Sequence, residues 1–155
     1  MSKSLKRVRR ALEDAGEAAE FRTPGETRTA PQAAAAVGCN LDQIIKSLLF
    51  RGARSGDVHL FLTAGGNQVC PQKAAALACE ALERADAALV RARTGFAIGG
   101  VAPVGLLHPV PVWADPRLLA FDLVWAAAGT PRDVFALQPA RMITLAGATV
   151  AEFTQ

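Results

Sequence analysis

Cysteine is scarce in this 155-residue chain, with Cys39, Cys70 and Cys79 forming no C-x-x-C pair and leaving an odd count. That excludes a disulfide framework, and the three read as buried structural thiols. Aromatics are only 6% of residues and charged residues only 20%. No apolar run approaches the roughly 20 residues that span a bilayer, so no membrane segment is expected. The first residues, MSKSLKRVRRALEDAGEAAEF, are basic but lack the apolar stretch of a signal peptide. A cytoplasmic protein is therefore expected. The standard catalytic signatures are missing as well: there is no G-x-S-x-G, no H-E-x-x-H and no P-loop. The two histidines, His59 and His108, have no cysteine or carboxylate at ligand spacing. Neither a metal site nor a cofactor is expected. The segment GFAIGG departs from the dinucleotide fingerprint and lacks its preceding strand and following helix.

What is present is apolar: 51% of residues are hydrophobic, which argues against disorder and for a real core. Much of that fraction is alanine, which buries little area, so the core must rest on Leu, Val, Ile and Phe clusters. The length is that of one ordinary domain, taken as residues 1–155. The net charge of +3 permits a polyanionic partner without demanding one. Lys3, Lys6, Arg7, Arg9 and Arg10 crowd the first ten positions. They read as a solvated helix face or as a contact for RNA phosphates.

Leu5, Val8, Leu12 and Ala15 recur at helical spacing, predicting a helix over 4–19. A turn-rich segment holds Pro24-Gly25. Thr29 then caps a second helix that Gly38 stops. QIIKSLLF (43–50) and VHLFLT (58–63) read as a hairpin around the turn 51–56. Helices are expected over 71–82 and 86–94. Strands are expected at 112–114, 121–126 and 134–137, then a short helix over 139–145 and a last strand at 149–153. Hairpins outnumber clean βαβ units, so the fold class is α+β with a mixed, mainly antiparallel sheet and surrounding helices.

Two features carry candidate chemistry. Lys46 sits inside the apolar strand, on the face of Ile44 and Leu48. Burying an ammonium there is costly unless it meets an anion or an acceptor, so it reads either as a snorkelling edge lysine or as a cation on the floor of a cleft. Ser47 is its neighbour, with alternation turning its side chain to the other face. The second feature is TGFAIGGVAPVGLLHPVP (94–111), too rich in glycine and proline for a helix and too apolar for a solvated linker. Gly99-Gly100-Val101-Ala102-Pro103 can aim main-chain groups at a ligand with no side chain in the way.

These residues resemble the YbaK family of stand-alone transfer-RNA editing proteins, related to the editing domain inserted in bacterial prolyl-tRNA synthetase. The resemblance is carried by QIIKSLLF with its lysine, by RTGFAIGGVAPVG, and by VPVWAD followed by a strand and a glycine turn. It extends from about Phe21 to Phe153. It implies the α+β fold and hydrolysis of the ester of a mischarged tRNA by water or a ribose hydroxyl, without metal or cofactor. Lys46 is then the catalytic candidate. Gly99, Gly100, Val101, Ala102 and Pro103 would position the aminoacyl group, with Ser47, His108 and Gly129 as further substrate contacts. The implied partners are the acceptor end of a mischarged tRNA and prolyl-tRNA synthetase. Members that remove cysteine carry a serine and an aspartate where this chain has Ala127 and Val134. Members that edit alanine usually carry asparagine at Ser47. An apolar lining suits alanine or 2-aminobutyrate. The alternatives are a Cys-tRNA(Pro) deacylase, a non-catalytic binder of tRNA or synthetase, and a hydrolase of small free esters.

Overall fold

The computed structural model describes residues 2–155. Helix α1 (Lys3–Asp14) starts where the Ser2 hydroxyl accepts from Leu5 N–H and buries Leu5, Val8 and Leu12. It stops short of the expected Ala19, because Gly16 takes a left-handed conformation (φ 74°) and turns the chain. The turn-rich segment contains a short strand, β1 (Glu20–Arg22). Helix α2 (Ala30–Val37) runs from its Thr29 cap to Gly38, as its punctuation predicts.

The hairpin is present. Strand β2 (Ile45–Gly52) pairs antiparallel with β3 (Val58–Ala64), with Lys46 opposite Thr63 and Leu49 opposite Leu60. Helix α3 (Pro71–Ala78) ends four residues early, where Cys79 adopts φ 61°. The following Leu82–Arg84 forms strand β4 against Phe50–Gly52. Helix α4 (Ala87–Thr94) is capped by Asp86 and closed by Gly95. Strands β5 (Val112–Ala114), β6 (Val124–Ala127) and β7 (Val134–Leu137), helix α5 (Pro139–Ala146) and strand β8 (Ala148–Val150) complete the fold. Residues 121–123, expected in strand, precede β6 and follow a 3-10 segment at Pro116–Ala120.

Two sheets result. One has the order β1-β7-β6 and is antiparallel; the other has the order β4-β2-β3-β5-β8. In the second, β4-β2-β3 is antiparallel and β3-β5-β8 parallel. With its helices, the protein is an α+β fold with mixed sheets. The main core lies between the sheets and under α1, where Leu12, Ile45, Leu49, Leu60, Leu62, Phe96, Val124 and Phe135 pack together. The far face of the larger sheet is covered separately by Phe61, Ala74 and Phe153. The thiols depart from expectation: Cys39 and Cys70 are only half-buried and Cys79 is exposed. Each sits at or beside a helix end, where the backbone returns to the surface. No described helix is long and apolar enough to cross a membrane.

Candidate functional site

The two sheets meet at one point. Ile44 bridges Trp125 in parallel, and beyond that bridge β2 and β6 diverge. On the same side of β2, β4 begins to pair only at Phe50. The edge of β2 between these points has no strand partner, and β6 is the edge strand of its own sheet. A cavity of about 470 Å³ fills the wedge. It is lined by Ile44 through Leu49 in succession, a run that only a strand seen edge-on presents. Trp125, Ala126 and Ala127 face it from β6, and Ala85 and Val90 close one end.

Main-chain direction follows from neighbouring hydrogen bonds. Leu49 C=O accepts from Ala85 N–H at 3.1 Å, so Leu49 points away from β3. Ser47, two residues earlier, shares that direction and turns its N–H and C=O into the wedge. On the opposite edge, Ala128 N–H donates to Asp133 C=O at 2.9 Å, towards β7. Ala127 therefore points its backbone groups the other way, towards β2.

The third wall is the glycine-proline loop. Gly99 and Val101 line the cavity, while Gly100, Ala102 and Pro103 are buried behind it. Gly99 is left-handed (φ 87°), which only glycine adopts freely. Gly100 is required for a different reason: a Cβ there would lie 2.9 Å from the Thr130 Cα and carbonyl carbon. This contact brings the loop against the β6–β7 turn, whose Thr130, Pro131 and Asp133 also line the cavity. The Asp133 carboxylate accepts from Thr23 Oγ1 at 2.8 Å and from Thr130 Oγ1 at 2.5 Å, which holds the turn. Gly129 lies one residue outside the lining; a Cβ on it would meet Ser4 C=O at 2.7 Å.

Lys46 lines the same cavity and is half-buried, its Nζ donating to the backbone carbonyl oxygen of Asn67. Burial pulls its pKa below the usual lysine value; Asp42 and Asp115 oppose that shift, and Arg84 adds to it. Asn67 is held by Asp115, which is 1% exposed. Asp115 Oδ2 accepts from Asn67 Nδ2 at 2.9 Å and from Ala64 N–H at 3.1 Å. Asp42 ties the same turn from outside, accepting from Gly66 N–H at 2.8 Å and Arg117 Nε at 3.0 Å. Arg28 and Arg84, both exposed, add positive charge to the lining.

The sequence candidates thus separate. Lys46, Ser47, Gly99 and Val101 line the cavity, with Gly100, Ala102 and Pro103 supporting its wall. His108 is not brought there: it is exposed, and its N–H donates to Arg93 C=O at 3.1 Å. Ser47 Oγ is buried with no hydrogen-bond partner, while alternation along β2 turns the N–H and C=O of that residue toward the wedge. The basic N-terminal cluster is also divided. Lys3, Lys6 and Arg10 are exposed, but Arg7 turns inward. Its Nε donates to Gly105 C=O at 2.7 Å, its Nη2 donates to Thr94 C=O at 3.1 Å, and its guanidinium lies over the Phe96 ring. Arg9 stacks on Phe21. Sequence reasoning missed Asp115 and Asn67, reading Asp115-Pro116 as a turn. The available signal was a carboxylate directly after an apolar strand.

No histidine or cysteine lines the cavity. Among the described residues, no cluster of three His, Cys, Asp or Glu side chains is placed to hold a metal.

Comparison with known proteins identifies the relatives. Residues 24–145 match the family model of the aminoacyl-tRNA editing domain. The uncharacterised protein YwhH of Bacillus subtilis is 34% identical over 128 residues, covering 77% of this chain and 74% of its own length. A crystal structure provisionally described as a trans-editing enzyme for prolyl-tRNA synthetase superposes with a TM-score of 0.91 at 42% identity, over 100% of this chain and 99% of that one. A hypothetical protein superposes at 0.88 with 25% identity, over 96% and 99% of the two sequences. The match takes in β2 with Lys46, the 94–105 loop and both walls of the wedge, and by it the chain belongs to the aminoacyl-tRNA editing domain family.

Proposed function

We propose that this protein is a deacylase that hydrolyses the ester of mischarged tRNA, with tRNA for proline carrying alanine or 2-aminobutyrate as the preferred substrate. The observation that supports it is the wedge, where a lysine, a bare glycine loop and two open strand edges enclose one small, mostly apolar space. Ile45, Leu49, Val90, Val101 and Ala126 give the cavity an aliphatic lining that suits a short aliphatic side chain. The likeness to a structure described in terms of prolyl-tRNA synthetase supports the choice of tRNA and makes that synthetase the natural partner. Lys46, with Arg84 and Arg28, supplies positive charge for the terminal phosphodiester or the ester oxygen.

The cavity holds no histidine–serine or histidine–cysteine pair, so the attacking oxygen comes from water, with the free hydroxyl of the terminal ribose placed to orient it. Water attacks the carbonyl carbon, the bond to the ribose oxygen breaks, the ribose oxygen leaves with a proton from that water, and the free amino acid is released. The protein's contribution is positioning and main-chain polarisation of the carbonyl. The test is deacylation of tRNA for proline charged separately with alanine, 2-aminobutyrate, cysteine, serine and proline. Alanine and 2-aminobutyrate are expected to be lost fastest and proline to be retained. No loss of any would leave a binding module and refute the enzyme. Lys46→Met is expected to slow turnover about a hundred-fold or more; unchanged turnover would remove its role.

A further inference from the structure

Strand β2 is half-buried, and its edge beside the cavity has no strand partner. Main-chain N–H and C=O groups inside a protein are almost always paired, and proteins usually cover or charge an open edge. Here two open edges face each other across a cavity; Ile45, Ser47 and Leu49 point their main-chain groups to that side of β2, with Leu49 C=O already taken by Ala85, and Ala127 points toward them from β6. No main-chain hydrogen bond outside the helices and strands reaches Ser47 or Ala127, and Ser47 has no strand partner on its wedge side. Lys46, Thr130 and Asp133 line the same cavity, and the main-chain groups of Ser47 and Ala127 add donors and acceptors to it that no strand pairing uses.

We infer that the wedge is a main-chain receptor for the backbone of the aminoacyl group, which inserts between the edges as a one-residue strand. An aminoacyl ester offers an α-ammonium that donates and a carbonyl that accepts. The C=O groups of Ser47 and Ala127 take the ammonium, and their N–H groups donate to the ester carbonyl. This inference rests on the proposed deacylase reading and adds the contacts that hold the reacting ester. It accounts for how one cavity takes an amino acid with little polar side-chain recognition: the constant part of the substrate is read by backbone groups, and the variable part only by the space left over. It also gives Ser47 a role that its buried, unpartnered hydroxyl does not fill.

The test uses proline, which removes an N–H and is tolerated where that N–H makes no ladder bond. Ser47 N–H faces the cavity rather than β3, so Ser47→Pro breaks no β2–β3 bond. Ser47→Ala keeps the N–H and removes only the hydroxyl. On mischarged tRNA for proline, Ser47→Pro is expected to be at least ten-fold slower than Ser47→Ala, and about a hundred-fold slower than wild type. Equal losses in the two variants would overturn the inference. N-acetylation of the aminoacyl group is expected to cost at least ten-fold in kcat/KM, and no loss would overturn the role of the carbonyls.

A second measurement is independent of both turnover and variant folding. Wild-type protein labelled with ¹⁵N is titrated with 3′-alanylamino-3′-deoxyadenosine, an analogue with an amide in place of the ester. The Ser47 and Ala127 amide protons are expected to move downfield, ahead of those of Lys46 and Leu48. Saturation without those shifts, or no binding up to millimolar analogue, would overturn the inference. Binding with the expected shifts but no hydrolysis of any charged tRNA would sustain the receptor and sink the deacylase.

Discussion

Replacing Gly100 by alanine tests whether the cavity wall is as rigid as its packing implies. The added Cβ lies 2.9 Å from both the Cα and the carbonyl carbon of Thr130 and 3.1 Å from its nitrogen. All three are backbone atoms of a turn pinned by Asp133, so no flexible group is free to move aside. Either the loop or the turn must shift. Overpacking of this kind costs about 1–3 kcal/mol, which for a protein of this size lowers Tm by about 2–12 °C. The shift moves the loop and the β6–β7 turn apart, both of which line the cavity, so under the proposed function kcat/KM for mischarged tRNA is expected to fall about ten-fold or more. Gly99→Ala is the control. It has open space, with Pro131 Cβ 3.9 Å away, but must hold φ 87°, which costs about 1–2 kcal/mol of backbone strain. Gly99→Asn, which tolerates that conformation, is expected to recover part of the stability lost in Gly99→Ala. No residue is expected to play that part at Gly100. Differential scanning fluorimetry with single-turnover deacylation reads both effects. A Gly100→Ala protein with Tm within about 1 °C of wild type and unchanged turnover would refute the packing argument.

Individual contacts carry three more expected outcomes. Arg7→Ala removes hydrogen bonds to carbonyls at both ends of the 94–105 loop; a cost of about 2 kcal/mol and faster amide exchange over 96–104 are expected, and full recovery in Arg7→Lys would refute the two-pronged clasp. Asp115→Asn places an amide where the carboxylate accepts from three donors, so a loss of about 2–4 kcal/mol by urea unfolding is expected, with a larger effect on turnover than on the distant His59 face; wild-type stability would remove Asp115 from the Lys46 support. His59 accepts from Trp113 Nε1 at 3.1 Å through Nδ1, and burial lowers its pKa from 6.5. The folded state therefore favours neutral imidazole: the stability this contributes is complete above about pH 6.5 and is lost as pH falls through the lowered value. His59→Gln is expected to flatten part of the Tm decline between about pH 7.5 and pH 5, and superimposable curves would refute it.

Much of the fold was legible in the sequence because its signals are local. The Thr29 cap and Gly38 stop bound α2, and two short apolar runs around a glycine turn mark the hairpin. The misses lie where pairing overrules propensity. Leu82 reads as the end of a helix and Glu83-Arg84 as a connection, yet Leu82–Arg84 becomes β4 because Cys79 turns the backbone and Phe50–Gly52 offer an edge. Glu20–Arg22 has no strand pattern and is extended only because β7 pairs with it.

For the site, residue types were readable and their geometry was not. The sequence alone determined that a lysine lies within an apolar strand and that a glycine-proline loop exposes its backbone, since both follow from residue chemistry and short-range periodicity. Only the tertiary structure decided that the Ser47 main chain faces the cavity, that His108 stands outside it, and that Arg7 serves the loop rather than the solvent. An unpaired strand edge is a relation between β2, β4 and β6, which lie tens of residues apart, and no local pattern records which carbonyl or N–H has been left without a neighbour.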